Sequence, residues 1–329
     1  DEELCTDDQA IGICTSNPDE AGLFFRIWFY GGDGEVTSQL CSQFLNGNWL
    51  DLNGNMATGG QPTLPIDQAL TFVKSTSDVA VEPECVDDTC LDALIEDVKG
   101  ISFRPAAQEP TIGLILYPGA NVDPRAYAPI AQGIAQDGIL TVLVPMPGSF
   151  ALNGWERATT VMETYPEIKT WYLGGHSMGG AMSVHYAKDN PGILKGIILW
   201  AAYAGTDDDI SETTEKVLSI YADQDGVATT DEIETGKPLL PETTQYLLIS
   251  GGNHAQFGLY GEQEGDYAAD IPVAVQNQQV MAATLHFIRS TEADSRIEKD
   301  PRYAQAPTTQ WCAQAQQIVA AVDEEINDS

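Results

Sequence analysis

Apolar residues along this chain gather into short, nearly continuous runs. Ile112–Tyr117 (within the stretch Thr111–Tyr117), Ile139–Val144 and Gly196–Trp200 are the most apolar. Runs of that length without polar alternation predict strands buried on both faces. Between them the spacing turns helical. Pro124–Asp137 predicts a helix, with proline at its start and Gly138 just past its end. Asn153–Thr164, Met178–Lys188 and Val273–Arg289 predict three more. Asp78–Glu82, Gly100–Arg104, Thr170–Leu173, Lys195–Trp200, Lys216–Tyr221 and Gln245–Ile249 predict the other strands. An insertion carrying Cys85 and Cys90 separates the first two of these. Alternating strand and helix from about residue 65 predict an α/β domain, its mostly parallel sheet flanked by helices.

The first part of the chain follows another pattern. Leu23–Tyr30 is apolar and aromatic, Gly31-Gly32-Asp33-Gly34 makes a turn, and Glu35–Leu40 follows as a second strand, a hairpin signal. Asn46-Gly47-Asn48 and Asn53-Gly54-Asn55 mark further turns. Trp28, Tyr30 and Trp49 suit the core of a small β unit, or a carbohydrate- or polymer-binding face. The polar, acidic end of the chain has one more helical stretch near Trp311–Val322. The expected division is a small β-rich, cysteine-containing module over 1–62, a catalytic domain over 63–295 and an acidic tail over 296–329.

Composition narrows this picture. A chain of 329 residues with 43% apolar residues is long enough to bury a sizeable core. It has no apolar run long enough for a membrane helix. Its 49 acidic against 15 basic residues give a net charge of −34. Such a surface repels nucleic acid and anionic membranes. It suits either adaptation to high salt or an acidic secreted protein with no salt requirement. The six cysteines are Cys5, Cys14, Cys41, Cys85, Cys90 and Cys312, and no two have CxxC spacing. Disulfides in an oxidising compartment are expected, rather than zinc or redox chemistry. Cys85 and Cys90 are close enough to pair locally, and Cys312 could tie the tail to the first module. The polar opening Asp1-Glu2-Glu3 is read as a mature N-terminus after removal of a leader, so a secreted or periplasmic location is expected.

The candidate chemistry begins at Gly174-Gly175-His176-Ser177-Met178-Gly179-Gly180. It contains G-x-S-x-G, with an apolar strand, Trp171-Tyr172-Leu173, before it and a small-residue helix start, Ala181-Met182-Ser183, after it. Attack by a hydroxyl needs a serine held on a sharp strand-to-helix turn, where a base can reach it. Small neighbours are required because helix and strand pass close there. Ser177 is therefore the candidate nucleophile. The acid and then the histidine should follow along the chain. Of the four histidines, His176 adjoins the serine, His185 lies in the following helix and His286 in the closing helix. His254 stands in a loop just after the strand Gln245–Ile249, where a general base is needed. Asp223 and Asp225 both follow the strand Lys216–Tyr221; Asp225, heading the turn Asp225-Gly226-Val227, is favoured. Asp207, Asp208 and Asp209 read as a solvated acidic turn. An oxyanion hole needs two N–H donors. Met178 is one candidate. The other comes from Pro118-Gly119-Ala120, with Ala120 ahead of Gly119.

With these residues in place the chain resembles the α/β-hydrolase superfamily over about residues 75–293, and most of all its compact, lid-poor bacterial branch near dienelactone hydrolases and small esterases. Four runs carry the resemblance: Tyr117-Pro118-Gly119-Ala120 with Asp123-Pro124-Arg125-Ala126-Tyr127; Gly175 to Gly180; Tyr221-x-Asp223-x-Asp225-Gly226-Val227; and Gly252-Asn253-His254-Ala255-Gln256-Phe257-Gly258. The resemblance implies Asp225 as acid and His254 as base. It departs in two places. Dienelactone hydrolases use a cysteine nucleophile, so Ser177 points away from their substrate. The first 62 or so residues and the tail after Arg296 match no family pattern. The short connection Ala201–Glu215, where a lid usually enters, implies an open site for small, soluble or polymeric esters.

The expected function is carboxylic-ester hydrolysis through an acyl-enzyme, with no metal, no cofactor, no membrane insertion and a monomeric chain. An amidase, peptidase or acyltransferase would share the same triad. A binding protein on a hydrolase scaffold is the reading from another class. Dehalogenase chemistry is disfavoured because it needs a carboxylate at position 177.

Overall fold

The computed structural model describes residues 65–299 and three earlier strands, with side chains described over 65–293. The three earlier strands are β1 (Ala10–Ser16), β2 (Arg26–Tyr30) and β3 (Gly47–Asp51). They form an antiparallel sheet in the order β2-β1-β3. Two expectations change here. The aromatic run pairs with Ala10–Ser16, a strand that its weak alternation concealed. Gly47 and Asn48 belong to β3 rather than to a turn. The expected strand Glu35–Leu40, the turn at Asn53–Asn55, the helix near 311–322, and Cys5, Cys41 and Cys312 lie outside the described residues. Asp1–Ile288 and Arg289–Ser329 form two compact units.

The large sheet is built from β4 (Val79–Glu82), β5 (Ile101–Pro105), β6 (Ile112–Tyr117), β7 (Leu140–Leu143), β8 (Thr170–His176), β9 (Gly196–Trp200), β10 (Lys216–Ala222) and β11 (Gln245–Ile249). Its order is β11-β10-β9-β8-β6-β7-β5-β4. Every pairing from β7 to β11 is parallel. β5 runs antiparallel to both its neighbours. The helices are α1 (Pro65–Leu70), α2 (Asp88–Glu96), α3 (Ala128–Gln136), α4 (Arg157–Thr164), α5 (Met178–Asp189), α6 (Thr230–Gly236) and α7 (Val273–Lys299).

Alternate residues of the central strands feed two cores, one on each face. Leu114, Leu116, Ile198, Trp200, Leu218 and Ile220 join one. Ile115, Tyr117, Leu173, Ile197, Leu199 and Val217 join the other. Burial on both faces explains why these strands read as unbroken apolar runs. Among the described residues no helix is long and apolar enough to cross a membrane.

Several element ends differ from expectation for local reasons. The helix expected from Pro124 divides into a 3₁₀ turn, Pro124–Tyr127, and α3. Pro129 has no N–H, so the α-type bond back to Arg125 cannot form. The helix expected from Asn153 starts at Arg157, where the Tyr117 hydroxyl accepts the Ala158 N–H at 2.8 Å. α7 runs past Arg289 to Lys299. No glycine or proline interrupts that polar stretch before Pro301. α2 was not expected; it is started by Asp87, whose carboxylate accepts the Cys90 N–H at 2.8 Å. Cys85 and Cys90 are joined as a disulfide.

The sheet order reverses between β6 and β8. The loops that leave their carboxyl ends therefore diverge and open a crevice, the usual place for a ligand in such a sheet. Both the Pro118-Gly119-Ala120 loop and Ser177 emerge there.

Candidate active site

Ser177 ends β8 and opens α5 with φ 52° and ψ −123°. This left-handed conformation costs a non-glycine residue about 1–3 kcal/mol and persists only where surroundings enforce it. The enforcement is visible. The Ser177 N–H donates to the Trp200 carbonyl at 2.9 Å, and its carbonyl accepts the Ala181 N–H at 3.1 Å. A Cβ on Gly179 would stand 2.3 Å from the Tyr117 carbonyl oxygen and 2.5 Å from that of Pro118. A Cβ on Gly175 would meet the Gly179 backbone at 2.5 Å. The turn closes this tightly only because both residues are glycine. The result is a half-buried serine, still reachable from solvent, at the N-terminus of a 12-residue helix. The helix dipole favours negative charge at that end.

His254 comes from the loop after β11 and is completely buried. Its Nδ1 lies 2.8 Å from Asp225 Oδ2. The other oxygen of Asp225 accepts the N–H groups of Val227 at 2.8 Å and Ala228 at 2.7 Å. Asp223, the alternative acid, faces elsewhere: it accepts the Ser250 hydroxyl at 2.9 Å and the Gly251 N–H at 2.7 Å. The turn residues separate these two carboxylates by assigning one to the imidazole and one to the backbone of β11's exit. His254 Nε2 is buried and has no hydrogen-bond partner among the described residues. The His254 ring packs against His176, the residue before the serine, with centroids 4.5 Å apart. No hydrogen bond joins Ser177 Oγ to His254. Bonds of this kind are commonly long without substrate and tighten when it binds.

The loop after β6 supplies the remaining polar groups. The Gly119 N–H donates to the Tyr127 hydroxyl at 3.1 Å, so it is already engaged. Neither Ala120 nor Met178, both half-buried, has an acceptor for its N–H among the described residues. The Tyr127 hydroxyl also lies 2.9 Å from His176 Nδ1. Which of the two groups donates in this contact depends on the His176 tautomer. Burial, and after it the neighbouring His254, hold the His176 imidazole well below the usual histidine range. His176 is therefore a neutral strut between the β6 loop and the serine turn. Phe257 stacks on its ring at 5.7 Å. Desolvation pushes the buried Tyr127 phenol well above its ordinary value, so it stays protonated.

The other sequence candidates lie apart from this cluster. His286 is exposed on α7. His185, on α5, pairs with Asp208 at 2.7 Å. Asp207 and Asp209 are exposed, as expected of a solvated acidic turn, but Asp208 is buried, a correction to that expectation. Lys188 and His185 on α5 draw it inward, so its charge is matched rather than exposed. Sequence reasoning passed over Tyr127 and Gln276. Gln276 is fully buried; it accepts the Asn253 N–H at 3.0 Å and donates to the Asn253 carbonyl at 2.7 Å. Tyr127 stood in a quoted motif, but its role depends on a fold-made contact. Gln276 carried no signal. Among the described residues no group of three or more His, Cys, Asp or Glu is arranged to hold a metal ion.

Comparison with known proteins places these features in context. Residues 113–279 match the family model described as "Alpha/beta hydrolase family". No curated protein matches the chain in sequence. Similar solved structures include Est1E from Butyrivibrio proteoclasticus, with 14% identity, a TM-score of 0.46 and coverage of 59% of this chain and 95% of that one. A predicted CIB-like hydrolase from Thermoplasma acidophilum aligns with 15% identity and a TM-score of 0.45, covering 58% of this chain and 92% of the other. A structure described under the metagenome-derived lipolytic enzymes LipS and LipT aligns with 15% identity and a TM-score of 0.42, covering 55% of this chain and 94% of that one.

Proposed function

This chain belongs to the alpha/beta hydrolase family, and on that premise we propose that it is a serine hydrolase cleaving carboxylic esters through an acyl-enzyme. The observation that carries the reading is a left-handed serine at a strand-to-helix turn, together with a buried His–Asp pair whose free imidazole nitrogen has no hydrogen-bond partner among the described residues. Ser177 Oγ attacks the ester carbonyl as His254 Nε2 takes its proton. Asp225, bonded to Nδ1, holds the imidazole tautomer and stabilises the imidazolium. The N–H groups of Met178 and Ala120 receive the charge that develops on the carbonyl oxygen. On collapse of the tetrahedral adduct the carbon–oxygen bond to the alcohol breaks, and that alcohol leaves with the proton from His254. Water, deprotonated by the same nitrogen, then releases the acid and restores Ser177.

The short Ala201–Glu215 connection and the half-buried serine favour small or polymeric esters over a lid-gated lipid substrate. Secretion and tolerance of high salt are part of the same proposal, resting on cysteine content and the net charge of −34. The test is labelling by a fluorophosphonate together with a panel of p-nitrophenyl esters of graded acyl length, at low and high salt. Covalent labelling at Ser177, absent in S177A, and turnover of short esters without a jump at the micelle threshold are expected. Wild-type protein that neither labels nor turns over any ester would sink the reading.

A further inference from the structure

Residues 258–272 connect the His254 loop to α7, and Asp266 lies in that connection, half-buried. Its Oδ1 accepts the N–H of Gly226 at 3.1 Å, of His254 at 3.2 Å and of its own neighbour Tyr267 at 3.0 Å. Its Oδ2 accepts the N–H of Ala255 at 2.8 Å. Gly226 directly follows Asp225. One carboxylate thus bonds the backbone of the acid-bearing turn and that of the base-bearing turn, which leave different strands. The connection also rests directly on the acid turn. A Cβ on Gly226 would stand 2.4 Å from the Gly265 carbonyl oxygen and 3.2 Å from Asp266 Cα.

We propose that Asp266 is a positioning residue that sets the Asp225–His254 hydrogen bond by clamping both turns to one carboxylate. The inference rests on the triad reading given above. A hydrogen bond between two separate loops is only as well defined as the loops that present it. A carboxylate is an acceptor with about four lone-pair sites, and here four N–H groups converge on it. Other ties join the turns nearer the strand ends. The Gln224 N–H donates to the Gly252 carbonyl at 2.9 Å, Asp223 accepts the Ser250 hydroxyl and the Gly251 N–H, and the acid–base pair itself is a further link. None of these engages Gly226 or Ala255, the residues that directly follow the acid and the base. An amide in place of the carboxylate turns one acceptor oxygen into an N–H₂ donor facing N–H donors, so at least the Ala255 N–H or the pair from Gly226 and His254 loses its acceptor. A misplacement near 1 Å at a catalytic group costs on the order of 10²-fold in rate.

The test compares wild type, S177A, D266N and D266E as full chains. The readouts are kcat and KM on a soluble p-nitrophenyl ester, the rate of fluorophosphonate labelling, the thermal melt, and the downfield proton resonance of His254 Nδ1–H. For D266N the expected result is a roughly 10- to 100-fold loss of kcat with KM little changed, slower labelling, and a His254 resonance moved upfield or broadened. A purely structural role would lower the melt and leave that resonance where it is. A folded D266N with wild-type kcat, or with reduced kcat and an unmoved resonance, overturns the proposal. If D266N does not fold, D266E is judged by the same criteria; it keeps the charge but displaces both oxygens by a methylene. Wild-type protein that fails to label at Ser177 sinks the triad reading itself. Labelling in wild type at the same rate as in D266N sinks only the role of Asp266.

Discussion

Two histidine–aspartate pairs occupy this domain at nearly equal distance, His254–Asp225 at 2.8 Å and His185–Asp208 at 2.7 Å. Their settings differ. Both side chains of the first pair are fully buried, whereas His185 is 30% exposed. Asp225 satisfies its second oxygen with two backbone N–H groups. Asp208 shares its charge with Lys188, 3.5 Å away. The ring of His185 meets Trp155 edge-on at 4.6 Å, and water can serve its other nitrogen. The free nitrogen of His254 is buried, and its ring packs on His176, the residue before the serine. A His–Asp contact is therefore common to both settings; in the function proposed above, burial and a place at the carboxyl edge of the sheet are what would make one of them a base.

The sharpest break of this comparison is at the nucleophile. S177A should lower kcat by about 10⁶-fold, with far-UV circular dichroism and the melting curve unchanged. Next come the two acids, measured in parallel. D225N should cost around 10⁴-fold in kcat by disordering the imidazole tautomer, while D208N should leave kcat within a few-fold. The reverse ranking would exchange the roles of the two pairs, and a larger loss from D223N would move the acid two residues back along the chain.

A third experiment concerns pH. His176 has a folded-state pKa held below its unfolded value near 6.5. Below that pH the unfolded chain binds a proton that the native state refuses, so stability must fall as pH drops through and below about 6.5. H176N should flatten that limb in urea titrations at successive pH values; an unchanged slope would assign the acid sensitivity to other groups. The smallest effect is expected at the partly exposed pair. H185A should destabilise by about 1 kcal/mol or less, read as a small shift of the urea midpoint, with full esterase activity retained.

Much of this candidate site is legible in the amino-acid string, and the reasons are local. The serine turn needs glycine at fixed offsets because a Cβ at 175 or 179 would strike backbone. That demand appears in the sequence as a motif. His254 was found by elimination among four histidines and by its place after a strand. Asp223 and Asp225 could not be separated by spacing with the same force, since both sit at the end of one strand. Their separation follows from which carboxylate the two turns aim at the imidazole. The capping box of α6, Thr229 with Glu232, was legible but lay in a segment too short to show a helical period. Gln276 and Asp266 have no local signature, and the motif that contains Tyr127 does not mark its contact with His176.

The order of apolar runs, the sharp glycine-flanked turn and the excess of acidic residues are properties of neighbouring positions, and the amino-acid string determines them because steric and solvation preferences act over a few residues. Which N–H groups stay unengaged for an oxyanion, which aspartate meets which histidine, and which carboxylate joins two loops depend on positions up to 40 residues apart along the chain. Only packing of the strands brings those groups within hydrogen-bond reach, so only the tertiary structure decides them.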